Sequence, residues 1–226
     1  MSVKLLALDT AGPRCSVALM VDGRLTELDA PAERVQAESV LPMVERLLAE
    51  AGLGLKGLDA IAFGRGPGAF TGLRVATAVA QGLAYGAGLP VVPVSDLAAL
   101  AVAAQRIHGQ ERVLACLDAR MHEVYWAAYS VTAQSLTALT QEALSPPQDV
   151  SPPAGTWFGA GPGWLAYGDV LRGRVGQLSG LDGALLPMAG DIARLAEKAF
   201  RAGQAVSPEQ ALPVYLRDKV ATPKPQ

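Results

Sequence analysis

The 226-residue sequence predicts an α/β protein in which one unit is built twice, giving two lobes that each hold a mixed sheet and flanking helices. Two echoes carry this expectation. Residues 4–22, KLLALDTAGPRCSVALMVD, read as a strand ending at Asp9, a Gly12-Pro13 turn and a second strand through Val17 and Leu19. Residues 112–131, RVLACLDARMHEVYWAAYSV, repeat that hairpin with Leu117-Asp118 in place of Leu8-Asp9. The stretch AFGRGPGAF at 62–70 then returns as TWFGAGPGW at 156–164, so Gly159, Gly161, Pro162 and Gly163 follow in the order of Gly64, Gly66, Pro67 and Gly68. The expected division is a first lobe over 1–105 and a smaller second lobe over 106–226.

After the opening hairpin, residues 37–51 make an amphipathic helix with Val40, Leu41, Val44, Leu47, Leu48 and Ala51 on one side. Met43 and Gln36 widen that side to about half the circumference, beyond the roughly 100° that one core contact needs. Pro42 is expected to kink the helix or mark a false start. Residues 55–63 lead as a buried strand into the glycine turn, and a helix follows in which Thr71 is the expected cap. From Val75 to Ser95 there is no charge, and only Arg74, Thr77 and Gln81 form a narrow polar stripe. One side can pack on a sheet, while the remainder calls for another protein surface. Gly82, Gly86, Gly88, Pro90 and Pro93 divide the span into helix, turn and strand, which argues against a membrane helix.

Ser95 then caps a helix through Ile107 that crosses between the lobes. In the second unit SPPQDVSPPAG at 145–155 reads as a proline-rich surface loop, and Asp191 is the expected cap of a helix through Ala202. The tail after Thr222 is expected to be disordered.

Half the residues are apolar, the net charge is -2, and no run of Lys or Arg marks a nucleic-acid groove of the chain's own. Cys15 and Cys116 sit in apolar, strand-like segments, which suits reduced core thiols in the cytoplasm. The opening MSVKLLALDT reaches Asp9 too soon for a secretory apolar segment.

Chemistry is sparse. His108 and His122 are the only histidines, fourteen residues apart, and neither has a partner at metal-ligand spacing. No nucleophile motif accompanies His122, which reads as a solvated turn residue. Gly64-x-Gly66-x-x-Ala69 follows a strand and opens a helix, as a dinucleotide fingerprint does. However, Pro67 removes one N–H, the only acid at a following strand end is Asp96 in the wrong turn, and no Walker lysine is present. A structural turn is the better reading. Asp9 and Asp118 are the stronger pair, because two-lobed sugar-kinase and actin-type ATPases set a hairpin aspartate or equivalent in each lobe against nucleotide and magnesium. Against that, Arg120, Met121 and His122 fill the second bend, and each Asp can simply bond its own turn.

The residues assembled resemble one family almost end to end, the TsaB family of tRNA threonylcarbamoyladenosine biosynthesis subunits. The likeness lies in LLALDTAGPRCSVAL from Leu5, LPMVERLLAEAGL from Leu41, GRGPGAFTGLRVATAVAQGLA from Gly64, LPVVPVSDLAALA from Leu89, LDAR from Leu117 and PVYLRDKVA from Pro213. The resemblance implies a duplicated actin-like, ribonuclease-H-like fold. It implies a non-catalytic, cytoplasmic subunit that pairs with the metal-containing paralogue TsaD, supports recruitment of the ATPase TsaE, and forms a homodimer when alone. It would touch tRNA only through the complex and need no cofactor or metal of its own. The residues carried over as partner-binding are Gln36, Ser39, Val40, Met43, Thr71, Leu73, Arg74, Val75 and Ala78. Asp9, Thr10, Gly66 and Asp118 would be the remnant of a nucleotide cleft. Many members have His-Ser where this chain has Gln36-Ala37. The alternative is an ATP-binding phosphotransferase or ATPase of small molecules using Asp9 and Asp118. A peptidase reading finds no side chain to rest on.

Overall fold

The computed structural model describes residues 3–32 and 36–217, with residues 36–38 described by their backbone alone. Strands β1 (Lys4–Asp9), β2 (Arg14–Val21) and β3 (Arg24–Pro31) form an antiparallel meander. β4 (Ala60–Gly66) and β5 (Val91–Ser95) then lie parallel to β1, in the order β3-β2-β1-β4-β5. The second sheet holds β6 (Arg112–Asp118), β7 (Val124–Val131), β8 (Leu136–Ala138), β10 (Thr156–Ala160) and β11 (Gln177–Asp182). Its order is β8-β7-β6-β10-β11, with β9 (Ala143–Ser145) beside β7. Strand for strand the second order repeats the first, including the antiparallel hairpin and the parallel addition. This is the duplicated α/β fold that the sequence predicts, a mixed sheet with flanking helices built twice.

Alternation along β1 explains how the first sheet is covered. Leu6 and Leu8 face α1 (Gln36–Glu50) and α2 (Phe70–Ala87), joining Val40, Val44, Leu47, Phe63, Ala76 and Ala80 in one apolar cluster. Leu5 and Ala7 face the other way, onto Ile192, Ala193 and Ala196 of α5 (Ala189–Arg201). A sheet buried on both faces needs the near-continuous apolar run seen in β1. α3 (Asp96–His108) lies between the lobes as expected, giving Ala99 to the first core and Leu97, Leu100, Ala101 and Ala104 to the second. α4 (Gly163–Arg172) covers the far face of the second sheet with Trp164 and Leu171.

Several expectations change. The division at 105/106 does not follow the packing, since α5 belongs to the first sheet's core and Val206 bridges to Val91 at that sheet's edge. Pro42 lies inside α1 and so does not mark a false start. It lies on the exposed side, where a carbonyl deprived of its donor can be hydrated. Asp191 does not cap α5, which begins after Met188. The helix's first N–H groups are met from other strands, Ala189 N–H by Ser16 Oγ at 2.9 Å and Gly190 N–H by Glu27 Oε1 at 2.8 Å. Buried Asp191 instead accepts from Arg106 Nε and Nη2, both at 2.9 Å. The loop at 145–155 is only partly on the surface, because Pro147 and Val150 are buried. Ser95 caps α3 as expected, accepting from Ala98 N–H at 3.1 Å. Gly88 ends α2 in the left-handed region with φ 70°. The tail after Thr222 lies outside the described residues.

Candidate functional site

A cleft of about 450 Å3 opens between the lobes, lined by Asp9, Ala11, Gly68, Phe70, Leu73 and Asp96 from the first and by Asp118, Arg120 and Met121 from the second. Val214, Tyr215 and Arg217 of the C-terminal segment close one side. Asp9 ends β1 and its Oδ1 accepts the N–H of Ala11 at 2.7 Å. Asp118 does the same at the end of β6, accepting the N–H of Arg120 at 2.8 Å and pairing with its guanidinium at 3.1 Å. Each aspartate is thus engaged by its own bend. The second bend is tight, with Arg120, Met121 and His122 all at positive φ of 59°, 54° and 61°. His122 is exposed there, as expected.

The glycine turn proves to be a packing device. Gly66 N–H donates to Asp96 Oδ2 at 2.5 Å and Ala69 N–H to Ala11 O at 2.8 Å, while Pro67 has no N–H. Two of the turn's donors are thus already taken, and a third is absent. A Cβ on Gly68 would stand 2.7 Å from Ala11 Cβ, and one on Gly72 would overlap the carbonyl of Thr10. Buried Thr10 locks the approach from its side, its Oγ1 donating to Gly72 O at 2.6 Å. The second copy uses the same device, since a Cβ on Gly161 or Gly163 would press on Cys116. Thr71 is no cap: α2 begins at Phe70 after Ala69, and Thr71 is exposed in the first turn.

Asp96 is the residue that sequence reasoning set aside. It opens α3, yet β5 lies beside β4 and β4 beside β1, so Asp96 meets Asp9 in the cleft floor. Both are 1% exposed. Burial, with lesser opposing hydrogen bonds from the Ala11 and Thr10 amides, pushes the Asp9 carboxyl up to about 7. Burial and then the charge of Asp9 hold Asp96 well above the usual carboxylate range. Burial likewise pushes the Cys15 thiol up to about 11, consistent with an inert core residue.

The carried-over pairing residues divide. Val40 and Leu73 are enclosed in the first lobe's own core, which corrects the expectation that they offer surface. Met43 is half-buried against that core, Ser39 and Val75 are half-buried, and Thr71, Arg74 and Ala78 are exposed. The Gln36 and Ala37 side chains lie outside the described residues. Arg74 stacks on Phe70 at 3.9 Å and approaches Tyr215 Oη at 3.3 Å. Of the expected polar stripe only Arg74 faces water fully. Thr77 is buried and bonds Leu73 O, and Gln81 donates to Ala211 O at 3.0 Å. The open face of α2 is instead Thr71, Arg74, Ala78, Gly82 and Tyr85, the last 75% exposed. Steps of three and four residues from Ala78 were the available signal.

Among the described residues no cluster of three or more His, Cys, Asp or Glu could hold a metal ion. No described helix is long and apolar enough to cross a membrane.

A family model described as "TsaD: tRNA N6-adenosine threonylcarbamoyltransferase" matches residues 30–166. The "tRNA threonylcarbamoyladenosine biosynthesis protein TsaB" of Escherichia coli is 42% identical over 98% of each chain. Its namesake from Haemophilus influenzae is 40% identical over 99% of this chain and 97% of its own. The solved structure titled "YeaZ from Pseudomonas aeruginosa" superposes with a TM-score of 0.89 at 49% identity, covering 95% of this chain and 100% of its own. On near full-length identity and a shared fold, the chain belongs to the TsaB family, also called YeaZ.

Proposed function

We propose that this chain is a non-catalytic, activating subunit in the synthesis of N6-threonylcarbamoyladenosine in tRNA. It pairs with a TsaD-like catalytic paralogue through the open faces of α1 and α2. The pair supports recruitment of a TsaE-like ATPase in the cytoplasm, and the same faces join two copies when the paralogue is absent. tRNA is met only through the assembly.

The observation that carries this reading is the open side of α2. Ala78, Gly82 and Gly86 give it a shallow surface, with nothing within 4 Å of where a Cβ on either glycine would sit. A partner helix can approach such a surface closely. Leu41 on α1 adds apolar area, being 44% exposed. Burial on association is worth about 25 cal/mol per Å2 of apolar area, offset by the entropy of docking. The phosphotransferase alternative draws little support from the cleft, where a carboxylate and a carbonyl take the N–H groups of Gly66 and Ala69 and Pro67 has none.

Met43→Asp is a poor test, because Met43 also packs inward. Ala78→Arg is a better one, as position 78 is exposed and arginine favours a helix. The variant should keep its melting temperature and lose co-elution with the TsaD-like paralogue. Unchanged co-elution would overturn the assigned face.

A further inference from the structure

Pairing leaves the two carboxyls under the cleft unexplained. Asp9 and Asp96 each give one oxygen to a backbone N–H, of Ala11 and Gly66 respectively. The other oxygen of each, Asp9 Oδ2 and Asp96 Oδ1, is buried without a partner. Gly64 supplies the room for both: a Cβ there would stand 3.1 Å from Asp9 Oδ1 and overlap Asp96 Oδ1.

The surroundings offer little to two negative charges. Arg65 follows Gly64 on β4, but its guanidinium is drawn to Glu142 at 3.1 Å, which returns a negative charge. Cys15 on β2 and Tyr129 on β7 are the other titratable groups facing the pair, and both are neutral acids. Two adjacent buried carboxylates without a counter-charge are far less favourable than one carboxylate and one carboxylic acid.

We propose that Asp9 and Asp96 together retain a proton in the folded chain, forming a pH-sensitive buried pair where β1, the Gly66 turn and the helix between the lobes meet. The unfolded aspartates release that proton near pH 4, whereas the folded pair keeps it towards neutrality. The folded state therefore binds more protons between those limits. The pair's stabilisation is full below about pH 4, declines as pH rises and is lost through about pH 7.

Carboxyl-carbon NMR of the wild-type chain tests this without a variant. One of the two resonances should remain that of a protonated acid at pH 6. Two carboxyls fully ionised by pH 5 would overturn the proposal. Asp96→Asn supplies a second reading, because the amide keeps an acceptor for Gly66 N–H and replaces a titrating acid with a neutral group. The melting temperature of wild type minus that of D96N should fall by several degrees between pH 5 and pH 8, and a constant difference would count against the retained proton. If D96N does not fold, D9N serves in the same comparison.

Discussion

Gly72 shows how one missing side chain fixes the first lobe. The carbonyl of Thr10 lies where a Cβ would be, and the Thr10 hydroxyl bonds the carbonyl of Gly72 itself. Neither contact can yield, because both involve backbone. Gly72→Ala should therefore cost about 3 kcal/mol or more, read as a lowered denaturant midpoint with an unchanged slope. Leu73→Ala, beside it but inside the core, should cost about 2–5 kcal/mol by cavity formation. The glycines of this turn were legible in sequence as a turn. Their purpose, close approach to β1 and not room for a phosphate, depends on which backbone lies opposite. Asp96 was hidden for a related reason. Ser95-Asp96 reads as a complete helix start, which gives the acid a local task, and only the parallel order β1-β4-β5 brings it to Asp9.

At the scale of elements, periodicity located α1, α2, α3, α5 and the hairpin opening each lobe, but missed α4 and β3 and did not say what each helix touches. α2 was read as sheet-facing on one side with a polar stripe on another. In the fold Thr77 satisfies its hydroxyl within the helix, and Gln81 reaches the C-terminal segment. The exposed side combines Thr71, Arg74 and Tyr85 with the small residues Ala78 and Gly82. The cap of α5 was misread similarly: Asp191 has the right composition for a helix start, but Ser16 and Glu27 meet the free N–H groups from the first sheet. That frees Asp191 to join α5 to α3 through Arg106. Arg106→Ala leaves the buried Asp191 carboxylate only Arg194, 3.8 Å away, and should cost about 1–3 kcal/mol. The value stays below that of a fully dry pair because the Arg106 side chain is 44% exposed. Urea denaturation of the variant checks it, and Arg106→Ala with Asp191→Ala together should recover part of the loss.

Over the whole molecule the duplication was plain in sequence, because repeated hairpins and glycine turns are local patterns. The ownership of α5 was not. Its apolar side could cover either sheet, and the choice rests on Ser16, Glu27 and the shape left open beside Leu5, Ala7 and Met20. Residues 1–105 alone should therefore fail to fold, with flat amide proton dispersion in NMR. A fusion of that segment to residues 186–217 through a flexible linker should restore dispersed signals. A well-dispersed spectrum from 1–105 alone would contradict the shared core. The same crossing sets a schedule for the chain on the ribosome. Synthesis proceeds at about 5–20 residues per second, so several seconds pass between completion of the first five strands and arrival of their last cover. Throughout that interval the nascent polypeptide displays one bare, sticky face, the surface a chaperone would hold until the last helix emerges.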